Sequence, residues 1–131
     1  MSGTSPAEMV AVSRLMVTLD RVTAEGDLNG LAALFADDAV LMEPGAPALI
    51  GRRGIVDWYA HVFADFQVVL AHEPLEIDAA GPYTIQRGAV RGTLALPHGG
   101  TSFDVDRKYL FVLRRQEDRS LVIWRAMYND N

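Results

Sequence analysis

Apolar residues near the start of the chain recur at every third or fourth position, the spacing that gathers them on one side of a helix. This pattern predicts a first helix over residues 6–24, with Pro6 in its first turn and Gly26 at its end. The pattern resumes after Asp27, whose side chain suits a helix N-terminus, and predicts a second, short helix over residues 28–35.

The helical spacing of apolar residues gives way to a short strand and then resumes before the middle of the chain. The acidic pair at residues 37–38 is expected to end the second helix, and a short strand over residues 40–43 is expected to stop at Pro44. A third helix is predicted over residues 53–66, with its aromatic side chains facing inward.

Beyond residue 66 the chain has the alternation and the turn signals of β-strands. Four strands are predicted, over residues 67–78, 83–96, 101–115 and 120–129. Gly88 and Gly92 lie inside the second of these, where glycine often marks a bend or a bulge. Three helices followed by antiparallel strands predict an α+β domain whose sheet buries one face on the helices.

Composition and charge fit one globular domain and narrow the classes of partner. The 131 residues are half hydrophobic, carry a formal net charge of -5 and include no cysteine, which excludes disulfides and thiolate chemistry. The charges are interspersed, and no basic face suited to nucleic acid is evident. We expect no membrane helix and no signal peptide over residues 1–9. The expectation is one cytoplasmic domain over residues 1–131, with residues 1–6 flexible.

Two stretches of the chain resemble one superfamily. Residues 31–63, LAALFADDAVLMEPGAPALIGRRGIVDWYAHVF, are similar to the nuclear-transport-factor-2-like (NTF2-like) superfamily. Residues 103–131, FDVDRKYLFVLRRQEDRSLVIWRAMYNDN, resemble the closing hairpin of its SnoaL-like members. The resemblance implies three N-terminal helices packed on a strongly curved, mixed but mostly antiparallel sheet that forms a cone. It implies no single function, since the superfamily holds both enzymes and non-catalytic modules.

The steroid Δ-isomerases of this superfamily offer the most specific comparison. Their general-base carboxylate directly precedes the proline that follows a DDA sequence, which is the position of Glu43. Their third helix carries a pocket tyrosine beside a second aromatic residue, similar to Tyr59 and Trp58. The chain departs from them in having no tyrosine on its first helix and only Asp106 near their second acid. Ala126 stands where SnoaL-like proteins often have an acidic residue.

Strand register decides which side chains reach the pocket, because side chains alternate across a strand. In the strand over residues 101–115 the odd positions are the more apolar and are expected inside: Phe103, Val105, Arg107, Tyr109, Phe111 and Leu113. In the last strand the resemblance places the even positions inside: Val122, Trp124, Ala126 and Tyr128. The other face of this strand is also half apolar, which predicts a homodimer through the sheet.

Glu43 is the strongest candidate for chemistry. A carboxylate in an apolar cavity loses solvation of its charged form, which is expected to raise its pKa toward the value that suits a general base. Proton abstraction beside a carbonyl also needs a donor for the developing oxyanion, and Tyr59, Tyr109 or Tyr128 could donate. The alternative is that Glu43 is solvated at the rim or pairs with an arginine.

The other candidates have structural as well as functional interpretations. Arg107 among apolar neighbours predicts either a salt bridge, for example to Glu43, or a clamp for a substrate oxygen. His61 and His72 could reach the cavity, and the resemblance implies a candidate role for them, since some members of the superfamily use a histidine base for dehydration. The expected substrate-binding wall also includes Trp58, Phe111, Trp124, Ala126 and Tyr128. No histidine spacing predicts a metal site.

Three functions are compatible with these residues. The first is a cofactor-free acid–base enzyme of isomerase, cyclase or dehydratase type on a small apolar carbonyl-bearing substrate, with Glu43, Tyr59, Arg107 and Tyr109 as catalytic residues. The second is a non-catalytic module that binds a hydrophobic ligand or dimerises. The third is an epoxide-opening hydrolase, which needs two carboxylates bridged by an arginine around a water.

Overall fold

A computed structural model describes residues 4–131 of the chain. Its three helices are α1 (Pro6–Glu25), α2 (Leu28–Ala32) and α3 (Arg52–Asp65). Gly26 ends α1 in a left-handed conformation with φ of 65°, and the Asp27 carboxylate accepts the Gly30 amide at the start of α2. Within residues 4–131 no helix combines the length and the apolar composition needed to cross a bilayer.

The start of the described chain is anchored to the rest of the domain. Thr4 Oγ1 donates a hydrogen bond to the Ile77 carbonyl at 2.6 Å, and the Ser5 hydroxyl accepts the Glu8 amide at 3.1 Å as the cap of α1. The flexibility expected of residues 4–6 stays a prediction. Residues 1–3, for which flexibility is also expected, lie outside the described residues.

Six strands follow or separate the helices. They are β1 (Phe35–Met42), β2 (Leu49–Ile50), β3 (Gln67–Ala80), β4 (Tyr83–Ala95), β5 (Ser102–Arg115) and β6 (Leu121–Asp130). They form one sheet in the order β2-β1-β6-β5-β4-β3, in which β1 is parallel to β6 and the other neighbours are antiparallel. The predicted α+β class with a mixed, mostly antiparallel sheet is confirmed.

The boundary between α2 and β1 differs from the sequence prediction. The helix ends at Ala32 rather than at residue 35, and the strand already begins at Phe35. The reason is non-local: the Ile123 amide of β6 donates to the Leu34 carbonyl at 2.7 Å, so pairing with the last strand extends the chain there. The acidic pair at residues 37–38 therefore lies within β1, with exposed side chains, rather than ending a helix.

The sheet bends around the helices. His72 of β3 and Tyr128 of β6 form a hydrogen bond of 2.7 Å, although two other strands lie between theirs. Upright side chains on a flat sheet would stand about 14 Å apart, at roughly 4.8 Å for each strand spacing. The side chains of His72 and Tyr128 therefore lean toward each other across the inner face of the sheet. Register shifts between Pro74 and Glu76 and between Val112 and Leu113 mark irregularities that permit the sheet to bend.

The inner face of the sheet carries the predicted side chains of β5. Tyr109, Phe111 and Leu113 are buried and Arg107 is half-buried, as expected if the odd-numbered residues of β5 face inward. Phe103 is the exception, because it lies near the open end of β5 and is largely exposed beside Phe66. The buried core joins these residues to the apolar stripe of α1, which consists of Val12, Leu15, Met16, Leu19 and Val22.

Candidate functional site

A cavity of about 250 Å³ lies between α3 and the inner face of the sheet. Its wall is mostly apolar, with α3 residues on one side and sheet residues on the other: Trp58, Val62, Phe66, Val68, Leu70, Val90, Leu94 and Val105. Four polar side chains reach it, namely Glu43, Tyr59, Arg107 and Tyr128. An apolar cavity with a few polar groups is the usual form of a small-molecule site.

Glu43 enters the cavity directly after β1, where Pro44 turns the chain away from the sheet. Its side chain is only 12% exposed, and its Oε2 accepts a hydrogen bond from Arg107 Nη1 at 3.1 Å. Burial raises the pKa of Glu43 above its ordinary value and outweighs the Arg107 guanidinium, which lowers it. The carboxylate is thus a stronger base than a solvated glutamate.

Arg107 binds two carboxylates, one in the cavity and one at the end of the last strand. Its Nε donates to the Asp130 carboxylate at 2.9 Å while its Nη1 donates to Glu43. Asp130 lies opposite Arg107 in the β5–β6 register and its side chain is 65% exposed. Of the two interpretations of Arg107, the structure contains the salt bridge. The hydrogen bonds of Arg107 within residues 4–131 use Nε and Nη1.

Tyr59 presents a hydroxyl group without a protein partner. The ring is buried on α3 and packs edge-to-face on Trp58, with centroids 5.0 Å apart. In the part of the chain that the structure describes, the hydroxyl has no hydrogen-bond partner, and the residue lines the cavity. Burial, and then the nearby Glu43 carboxylate, raise the pKa of Tyr59 far above its ordinary value, which keeps the hydroxyl a donor.

Tyr128 reaches the cavity from β6 and is backed by two side chains. Its hydroxyl lies 2.7 Å from Nε2 of His72, whose Nδ1 lies 2.6 Å from Asp20 Oδ1. Burial raises the pKa of Tyr128 well above its ordinary value. The sequence interpretation did not include Asp20. Its place in the apolar stripe of α1, four residues after Met16, is the signal that could have indicated a buried role.

Several predicted site residues lie outside the cavity wall. The Tyr109 hydroxyl donates to the buried Gln86 at 3.2 Å, and Phe111 and Ala126 are packed in the core beneath the cavity. His72 is enclosed behind Tyr128 rather than facing the cavity. His61 is exposed, and its Nδ1 lies 2.8 Å from the carbonyl of Asp57, one helical turn earlier. Within residues 4–131, no three histidine or acidic side chains are grouped to hold a metal ion.

Trp124 corrects the register predicted for the last strand. Val112 pairs with Arg125 and Leu113 pairs with Ile123, so Trp124 is left between them as an extra residue. Its indole Nε1 donates to the Asp38 carboxylate at 3.3 Å, and the Arg125 guanidinium lies 3.8 Å from the ring centroid. Trp124 therefore packs with charged groups and with the Tyr83 ring, and it is not part of the cavity wall.

Known proteins share this fold and parts of its sequence. A profile of the SnoaL-like domain matches residues 16–123. A ketosteroid isomerase-like protein from Erwinia carotovora atroseptica is 24% identical with a TM-score of 0.83, over 96% of this chain and 98% of that one. A provisionally named dehydratase of the NTF2-like family from Streptomyces avermitilis is 16% identical with a TM-score of 0.84, over 97% and 99%.

A third structure, a provisionally named scytalone dehydratase from Novosphingobium aromaticivorans, is 16% identical with a TM-score of 0.82, over 95% of this chain and 85% of that chain. No curated protein matches the chain at a significant level. Structures at these identities establish the fold and leave the reaction open. Because the profile match covers most of the chain, the protein belongs to the SnoaL-like domain family.

Proposed function

We propose that the protein is a cofactor-free acid–base enzyme of isomerase, cyclase or dehydratase type, acting on a small, largely apolar, carbonyl-bearing substrate. The observation that carries the proposal is the convergence of a desolvated carboxylate, Glu43, and an unpartnered hydroxyl, Tyr59, on one mostly apolar cavity. The structural neighbours named as a ketosteroid isomerase-like protein and as dehydratases are consistent with it.

Each polar group has a distinct part in this proposal. Glu43 removes a proton from the carbon beside the substrate carbonyl, and Arg107 orients the carboxylate for that step. Tyr59 donates a hydrogen bond to the oxygen on which negative charge develops. Tyr109, a catalytic candidate from the sequence, is left out because its hydroxyl is engaged by Gln86. Tyr128 replaces it as a second donor from the cavity wall.

Cavity size limits the substrate class. A volume of about 250 Å³ lies just below the usual range of small-molecule pockets, roughly 300–1,000 Å³. A substrate of one ring, or of two small fused rings, suits a cavity of this size. We expect substrates such as cyclic enones or hydroxyketones rather than steroids.

Exchange of carbon-bound protons in D2O tests the proposal without knowledge of the natural substrate. One- and two-ring ketones are incubated with the protein, and loss of the proton signal beside the carbonyl is followed by NMR. We expect the wild type to accelerate exchange, and Glu43→Gln to lower the rate by about 100-fold or more, the usual contribution of a general base. Glu117→Gln, in an exposed turn, is the matched control.

Two outcomes would reject this function. Undiminished exchange in Glu43→Gln would remove Glu43 as the base. Ligand binding without exchange by the wild type, across the ketone panel, would favour the non-catalytic ligand-binding module.

One observation favours a second candidate, the epoxide-opening hydrolase. Arg107 bridges two carboxylates, Glu43 and Asp130, as such a reaction requires. Asp130 is largely exposed and is not part of the cavity wall, which places this candidate second. Hydration of a small cyclic epoxide that is lost in Asp130→Asn would support it, whereas absence of hydration by the wild type would reject it.

A further inference from the structure

A line of three hydrogen-bonded side chains connects the surface of α1 with the cavity. Asp20 is 21% exposed, His72 is 2% exposed and Tyr128 lines the cavity. The two links between them measure 2.6 Å and 2.7 Å. Asp20 uses both carboxylate oxygens, since Oδ2 also accepts the backbone amide of His72 at 3.0 Å. The carboxylate is therefore fixed relative to the imidazole.

The surroundings of His72 leave one hydrogen-bond partner for each ring nitrogen. Aromatic rings enclose the imidazole, with centroids at 5.2 Å for Tyr109, 6.0 Å for Phe111 and 5.7 Å for Tyr128. The titratable groups that face it are Asp20 from α1, Tyr109 from β5 and Tyr128 from β6, and the Tyr109 hydroxyl is turned to Gln86. Nδ1 keeps the proton that it donates to the Asp20 carboxylate, and Nε2 is the nitrogen that exchanges a proton with Tyr128.

We propose that Asp20, His72 and Tyr128 form a proton relay that supplies the cavity, and that the relay selects ligands carrying an oxyanion, either an enolate or a phenolate. This inference rests on the proposed function, which develops such an oxyanion in the same cavity. Tyr128 contacts the ligand. His72 positions Tyr128 and replaces the proton that Tyr128 donates, and Asp20 positions His72.

The relay has two states that differ by one proton. In the charged state the imidazolium donates from Nδ1 to Asp20 and from Nε2 to the Tyr128 oxygen, so the Tyr128 proton points into the cavity. When the ligand oxyanion accepts that proton, the Tyr128 oxygen accepts the proton of Nε2. The imidazole is then neutral, Nε2 accepts from Tyr128, and the ligand holds the proton that the relay lost. Solvent protonates the partly exposed carboxylate of Asp20, so the complex as a whole gains one proton. When the ligand leaves as an oxyanion, its proton returns to Tyr128, Tyr128 returns a proton to Nε2, and Asp20 releases its proton to solvent.

A chromogenic phenol tests this exchange directly. 4-Nitrophenol fits the cavity, and its absorption distinguishes the phenol from the phenolate. Binding is measured by calorimetry in two buffers of different ionisation enthalpy, at a pH where the free probe is the phenolate. We expect the wild type to take up close to one proton for each probe bound. Asp20→Asn and His72→Gln should take up none, and Tyr128→Phe should also weaken binding by about tenfold or more.

The controls separate this inference from the proposed function. Glu25→Gln, exposed on the same helix, should behave as the wild type. Glu43→Gln should lower the rate of proton exchange by about 100-fold or more yet keep proton uptake, so failure of the base and failure of the relay give different results. Uptake that disappears in Glu43→Gln and persists in Asp20→Asn would overturn the relay, as would absence of probe binding to the wild type.

A spectroscopic measurement completes the test in the free protein. The ¹⁵N shifts of His72 should show a proton held on Nδ1, and Tyr128→Phe should shift the Nε2 resonance specifically. His72 resonances that are insensitive to both Asp20→Asn and Tyr128→Phe, in variants that keep the wild-type fold, would contradict the proposal.

Discussion

Glu43 is held between two opposing influences on its carboxyl group. Loss of water favours the neutral acid, and the Arg107 guanidinium at 3.1 Å favours the carboxylate. The first influence is the larger, so the residue carries a charge that its surroundings do not fully stabilise. This imbalance is the source of its proposed basicity, and it has a cost in folding stability.

The stability cost of Glu43 should depend on pH. Because the pKa of Glu43 is raised in the folded protein, the folded state binds more protons than the unfolded chain once the pH exceeds the ordinary range of a glutamate, about 4.3. The contribution of Glu43 to the free energy of unfolding is therefore lost as the pH rises from about 4.3 through the raised pKa of the folded state. Glu43→Gln should gain stability relative to the wild type between pH 4 and pH 8 in urea unfolding. A relative loss over this range would show that the ion pair with Arg107 dominates.

Tyr59 and Tyr109 form a matched pair for testing the oxyanion donor. Tyr59→Phe should lower kcat by about 100-fold with little change in KM, since a donor to the developing charge acts mainly in the transition state. Tyr109→Phe should leave turnover nearly unchanged and lower the free energy of unfolding by about 1–3 kcal/mol, because the buried Gln86 oxygen loses its donor. Equal effects of the two substitutions on kcat would argue against the assigned roles.

Site residues differ in how far the sequence reveals them. Glu43 is marked by the proline that follows it and Arg107 by the apolar alternation around it, so both could be predicted to lie at the cavity. The role of Asp20 depends on His72, 52 residues away, which no local pattern contains. Trp124 was misplaced because a single extra residue in β6 changes which face it occupies.

Helix ends and strand ends follow different rules in this protein. The ends of α1 are set by neighbours in sequence, Ser5 and Gly26, and were predicted within one or two residues. The start of β1 is set by its pairing with β6, almost 90 residues later in the chain. The two-residue strand β2 also exists only through pairing with Val40 and Leu41. Local propensity could therefore predict helices and long strands but not these pairings.

Close backbone contact between β3 and β4 depends on a glycine in β4. A Cβ added at Gly92 would lie 1.9 Å from the Val69 carbonyl oxygen, a backbone atom that cannot move aside. Gly92→Ala should therefore destabilise the protein by about 1–3 kcal/mol in chemical denaturation. Gly54→Ala is the control, since nothing lies within 4 Å of that position in α3, and it should be neutral or stabilising by up to about 1 kcal/mol. The reverse order would contradict the close-contact argument.

At the scale of the whole molecule, the sheet has a second apolar surface. Ile85, Leu110 and Met127 are exposed on the side of the sheet away from the helices, on three adjacent strands. The homodimer stays a prediction. This apolar surface supports it, because a self-complementary patch on a sheet is suited to twofold pairing. Light scattering should give the mass of a dimer, and Leu110→Lys should shift it toward the monomer.

An exposed apolar residue on α1 provides the control for this prediction. Val17→Lys changes an exposed apolar side chain outside the proposed dimer surface and should leave the dimer intact. A monomeric wild type, or equal effects of the two lysine substitutions, would argue against pairing through the sheet.

The proposed chemistry rests on a carboxyl group that burial makes more basic despite an adjacent arginine. A ¹³C NMR titration of the Glu43 side-chain carboxyl measures this property most directly, with Glu43→Gln used to assign the resonance. We predict a midpoint clearly above that of the exposed glutamates Glu25 and Glu117 in the same spectra. A midpoint at or below theirs would show that the ion pair prevails, and would contradict the assignment of Glu43 as the general base.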